Sequence, residues 1–151
     1  MYSKRAASQL RQEFWTSFGR YMQPVSSASG ESINWVNYRT GARHIHFRME
    51  AGKGATIAVE LTHPAEAFRL EYFEKFLQLK HLLHQVTGEN WEWEPAATDE
   101  HGKPVSRIFR ELQGVHVFNR EDWPALISFF KQGIIALDTF WNEVKHEFEV
   151  W

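Results

Sequence analysis

Two alternating runs flank a glycine-rich triplet between Arg43 and Thr62, and no other stretch restricts the fold as much. Arg43-His-Ile-His-Phe-Arg-Met-Glu50 alternates polar and apolar residues, as does Thr56-Ile-Ala-Val-Glu-Leu-Thr62, with Gly52-Lys53-Gly54 between them. The pattern predicts a β-hairpin. With the triplet as the loop, Ala51 faces Ala55, and the pairs continue as Met49 with Ile57, Phe47 with Val59 and Ile45 with Leu61. Every apolar residue then meets an apolar partner on one face. A three-residue loop with glycine in the left-handed position is a common hairpin connection, so turn chemistry and register agree. The other face sets Glu50, Arg48, His46 and His44 against Thr56, Ala58, Glu60 and Thr62.

Helical periodicity brackets this hairpin. Ser3 is placed to cap a first helix in which Leu10, Phe14, Trp15, Phe18, Tyr21 and Met22 recur at helical spacing up to about Pro24. A small polar loop follows, and Ile33-Asn-Trp-Val-Asn-Tyr38 alternates as a strand leading into the hairpin. Pro64 suits the first turn of a central helix that runs to about Val86, is stopped by Gly88 and packs across the sheet. Trp91-Glu-Trp-Glu94 reads as a strand closed by Pro95 or lying at an edge. Asp99–Lys103 reads as a turn, and Val105–Leu112 and Val115–Phe118 as further strand segments. Asp122 precedes a long final helix, with Gly133 a place for it to kink. The expected order is α-β-β-β-α-β-β-(β)-α. The class is α+β, a mainly antiparallel sheet with an N-terminal helix, a central helix packed across it and a long C-terminal helix.

At 151 residues and 43% hydrophobic composition the chain suits a single domain over residues 1–151. It contains no cysteine, which excludes disulfides and thiolate chemistry and fits a reducing compartment. No apolar run reaches signal-peptide or membrane-spanning length, so the expected location is cytoplasmic, with no membrane partner. Charge is uneven: residues 1–53 hold eight Lys or Arg against three acids, and residues 54–151 hold nine against sixteen. With seven Trp and twelve Phe, and a terminus reading Phe148-Glu-Val-Trp151, the imbalance points to a homodimer. A polyanion or a protein partner is the other reading.

The hairpin register places His46 opposite Glu60, with Arg48 and His44 in reach, so His44, His46, Arg48 and Glu60 form the candidate polar surface. Such a set holds a proton, a metal or a phosphate, or makes an ordinary cross-strand ion pair. His81 and His84 have the spacing of two metal ligands on a helix, but spacing places no third, and no metal site or cofactor is expected. Arg107 and Arg110 read as strand surface.

Several motifs taken together carry a family resemblance. They are Gln12-Glu-Phe-Trp15, Ile57-Ala-Val-Glu-Leu61, Tyr72-Phe-Glu-Lys-Phe-Leu77 followed by Gly88-Glu-Asn-Trp-Glu-Trp-Glu94, Ser106-Arg-Ile108, and the final helix from Ala125 to Trp141. They resemble, over nearly the whole chain, a bacterial family described only as a domain of unknown function, the one numbered 4268. The resemblance implies a domain that accompanies a nuclease-type domain in longer proteins, and hence a non-enzymatic association module for itself or for nucleic-acid-processing partners. The opening element order also resembles the restriction-endonuclease-like core. That second likeness implies Glu50 and Glu60-Leu61-Thr62 as the metal-site positions of a divergent nuclease, with Thr62 where the motif has lysine.

Overall fold

The computed structural model describes residues 3–88 and 90–148; Trp151 lies outside them. Thr62 donates its backbone N–H to the His44 carbonyl at 2.9 Å. The strand between them, β1 (Ile45–Leu61), has 17 residues, which would span more than about 50 Å if straight. It therefore doubles back, and the His44–Thr62 contact belongs to the register expected from alternation. At the bend Gly54 has φ +80°, and a Cβ there would lie 2.9 Å from the Leu112 carbonyl oxygen, so the turn needs glycine on both counts.

Counting the arms 45–51 and 55–61 separately, the sheet has four antiparallel strands. The second arm pairs with β3 (Pro104–His116), and β3 pairs with β2 (Glu92–Thr98), in the order β1-β3-β2. β2 lies at the free edge, and its register with β3 shifts between Glu94 and Ala97, around Pro95. The 99–103 turn joining β2 to β3 is held by Asp99, whose Oδ1 accepts from the N–H groups of His101 and Lys103. Residues 115 and 116 extend β3 rather than forming a separate strand.

The helices are α1 (Lys4–Met22), α2 (Glu66–Gln78), α3 (Lys80–Thr87) and α4 (Trp123–Val144). Ser3 caps α1 by accepting from Ala6 N–H. The apolar sheet face, with Ile57, Val59, Leu61 and Ile108 all sealed from solvent, meets α4. The other helices reach the same layer through aromatic contacts: Phe14 and Phe18 of α1 against Phe130, Phe73 of α2 against Trp93, and Phe76 against Phe140. The fold class is α+β, as the sequence pattern predicts.

The structure departs from expectation at other places as well. Residues 33–38 form a turn rather than a strand. The Asn34 side chain accepts the N–H groups of Val36 and Asn37, offering the backbone a local alternative to a sheet ladder. The central helix breaks at Leu79, which leaves helical conformation at φ −98°, ψ 7°, before α3 carries Leu83 into the core. Asp122 occupies the N-cap position of α4 but makes no side-chain capping bond to the helix. Its carboxylate accepts from His116 N–H and ties the end of β3 to the helix. Gly133 does not split α4, which runs unbroken from Trp123 to Val144; it lets the helix approach the sheet, since a Cβ there would lie 2.8 Å from Ile57 Cδ1.

The 23–44 segment has no regular structure, yet α4 fastens it. Asp138, 1% exposed, accepts from Ser27 Oγ at 2.9 Å, Ala28 N–H at 2.7 Å, Tyr38 OH at 2.5 Å and Asn142 Nδ2 at 3.1 Å. Trp141 Nε1 donates to the Thr40 carbonyl and Trp35 Nε1 to the Val25 carbonyl. A carboxylate is worth burying only when its oxygens are satisfied, and these donors satisfy them.

Candidate functional site on the open face of the sheet

With the helices on one face, the opposite face presents the polar half of the strand alternation. Arg48 and Glu60 meet there, Nε to Oε1 at 3.7 Å. Glu60 is directly across from Arg107 in the β1–β3 register, and Arg107 is across from Glu94 in the β3–β2 register, with Nη1 to Oε1 at 3.6 Å. The result is a row, Arg48, Glu60, Arg107, Glu94, whose charges alternate across the sheet. The Arg107 guanidinium also covers the buried Phe109 ring, 4.6 Å from its centroid.

Burial distinguishes the members. Glu60 is 9% exposed, and that burial pushes its carboxyl above the ordinary glutamate value, opposed by Arg48 and Arg107 and reinforced by Glu50 and Asp99. Arg48 is half exposed. His46 is held below the ordinary histidine value by burial first, then by Arg48 and His44, which keeps it neutral near pH 7. A cleft of about 290 Å³ opens over the row, lined by Arg48, Glu50, Glu60 and Arg107 with Asp99 and His101 of the β2–β3 turn.

Of the four residues expected to form the polar surface, the structure joins Arg48 and Glu60. His46 keeps its register place opposite Glu60, but the carboxylate's ion-pair partner is Arg48. His44 is the one non-glycine residue with positive φ among the described residues, at +68°, and its ring packs edge-on to His63 at 4.6 Å. Glu50 and Glu60, the alternative catalytic pair, line the same cleft. Among the described residues no three His, Cys, Asp or Glu side chains are grouped to hold a metal ion. His84 instead packs beside Trp93. Arg110 lies over the rings of Trp91 and Phe129, away from the row.

The family profile of a domain of unknown function (DUF4268) matches residues 10–145, nearly the whole chain. The chain belongs to the DUF4268 family. No curated protein and no solved structure matches it. In this DUF4268 domain no helix among the described residues is long and apolar enough to cross a membrane.

Sequence reasoning missed Arg107 as a member of the row, because its role depends on the β1–β3 register, and that pairing lies outside the hairpin. It also missed Asp138 and Tyr38, which stand 100 residues apart in the chain. A lone aspartate among the apolar residues of the final helix, Ile135-Ala-Leu-Asp138, was the available signal.

Proposed function

We propose that this DUF4268 domain is a single, non-enzymatic association module of the bacterial cytoplasm, and that its open sheet face pairs with a second copy of the chain. The alternation of charge along Arg48, Glu60, Arg107 and Glu94 is the observation that carries this reading. A row of plus, minus, plus, minus becomes minus, plus, minus, plus when reversed. A two-fold axis crossing the row at its centre therefore sets each arginine against a glutamate, which is the self-complementarity an isologous dimer requires. A nucleic-acid-processing protein with a matching row is the other occupant of the same face.

Light scattering at tens of micromolar protein in low salt tests the reading. A dimer is expected, dissociating as salt rises, and Arg107→Glu is expected to remain monomeric. A monomer under every condition would remove self-association.

The second reading, a divergent metal-dependent nuclease, draws on Glu50, Glu60 and Asp99 lining one cleft. Two features weigh against it: Glu60 is engaged by Arg48, and Thr62 stands where the motif has lysine. Incubation with DNA and RNA in Mg²⁺ or Mn²⁺ is expected to leave both intact. Cleavage that disappears in Glu60→Gln would promote the nuclease reading.

A further inference from the structure

Away from the open face, a cavity of about 600 Å³ lies between the 23–44 segment and the last turns of α4. That volume falls within the range of small-molecule sites. Its walls are built in advance. Asp138 fastens Ser27, Ala28 and Tyr38, and Trp141 fastens Thr40, so the irregular wall is already fixed against the helix. A site whose walls are ordered beforehand loses little conformational freedom on binding.

The groups left facing the cavity are mainly donors. Asp138 is spent, because its donors occupy both carboxylate oxygens. Asn34 uses its Oδ1 on the N–H groups of Val36 and Asn37, which leaves its amide nitrogen to donate. Ser29 accepts Glu31 N–H and keeps its hydroxyl proton. Each wall adds a cation: Arg39 from the segment and Lys145 from the end of α4. Among the described residues Lys145 reaches only the Asn142 side chain, at 3.4 Å, and Arg39 has no ion pair or hydrogen bond. A lysine at a helix C-terminus is ordinary, since it balances the dipole there. Arg39 lies on no helix and has no such role. Glu31 is the one carboxylate lining the cavity.

We propose that this cavity binds a small organic anion, with Arg39 and Lys145 meeting a carboxylate or phosphate group and Asn34 and Ser29 donating to its polar remainder. Bidentate geometry suits Arg39 to either anion. The site is independent of the open face, so its success or failure leaves the association reading untouched.

The test is an amide-resolved NMR titration of the intact chain with citrate, with glycerol phosphate, and with sodium chloride at matched ionic strength. Saturable shifts of the Asn34 and Asn142 side-chain amides and of the Trp141 indole N–H are expected with at least one organic probe and not with chloride. A response to citrate alone assigns a carboxylate ligand, a response to glycerol phosphate alone assigns a phosphate ester, and a response to both supports the shared chemistry. Arg39→Ala, at an exposed position, is expected to keep the fold and weaken binding by about tenfold or more, as for one lost charge-assisted hydrogen bond. The proposal is overturned if neither probe moves these signals at about 10 mM, the range of very weak binding, or if Arg39→Ala titrates like the parent.

Discussion

Gly133 and Ile57 show how a single atom sets the spacing between helix and sheet. Alanine is intrinsically the better helix former by about 1 kcal/mol, but a Cβ at 133 would meet Ile57 Cδ1 at 2.8 Å and Cγ2 at 3.3 Å in a fully buried site. Gly133→Ala is expected to destabilise the protein by about 1–3 kcal/mol, the usual cost of overpacking. Adding Ile57→Val, which removes Cδ1, should recover part of that loss, visible in denaturation midpoints as non-additivity. Tyr38→Phe leaves Asp138 one donor short and should cost about 1.5–3 kcal/mol, the range for a hydrogen bond to a charged group. Glu60 supplies a pH signature. Its folded-state pKa lies above the unfolded value, so its contribution is complete in acid and is lost as pH rises through the folded value. Glu60→Gln should therefore be more stable than the parent at pH 7, with the difference vanishing below the ordinary glutamate range. A variant less stable at pH 7 than the parent would mean that the Arg48 ion pair outweighs the burial.

At the level of elements, the hairpin was the most legible part of the chain. Period-two alternation on both arms and a glycine triplet agree on one register, and the structure keeps that register to the His44–Thr62 bond. Phe47→Ala tests it, since that ring is buried, stacked on Tyr38 at 4.9 Å and edge-on to Trp141. The expected loss is about 3–5 kcal/mol in chemical denaturation. The 33–38 segment misled because its alternation is real but is used differently. Trp35 faces inward, as a strand residue would, while Asn34 bends the backbone into a turn. Of the candidate site, the Arg48–Glu60 half was legible from the hairpin. The Arg107–Glu94 half required the pairing of three strands, which no local pattern specifies. At His44 the positive φ interrupts the extended backbone that alternation assumes, a local turn the period-two pattern does not encode.

For the whole molecule, most of the Trp and Phe residues among the described ones turn out to be committed inward. Tyr21, Phe68 and Leu70 are the large apolar side chains left exposed among the described residues, so aromatic content no longer argues for a partner. The charge row takes over that role, and with it comes the expectation of association that weakens with salt. The fastening of 23–44 to α4 also bears on the order of assembly. Ser27 and Asp138 are separated by 111 residues of chain, and Thr40 and Trp141 by 101. Contacts of such separation require the largest loops to close, so they tend to form late, after hairpins and helices that depend on near neighbours. Stopped-flow measurements on Tyr38→Phe should accordingly show faster unfolding with nearly unchanged refolding, the behaviour of a residue whose bonds are absent from the transition state. On a ribosome the same arrangement leaves the apolar side of the sheet without its covering layer until α4 has been synthesised, and over that interval the nascent chain is a natural client for a chaperone.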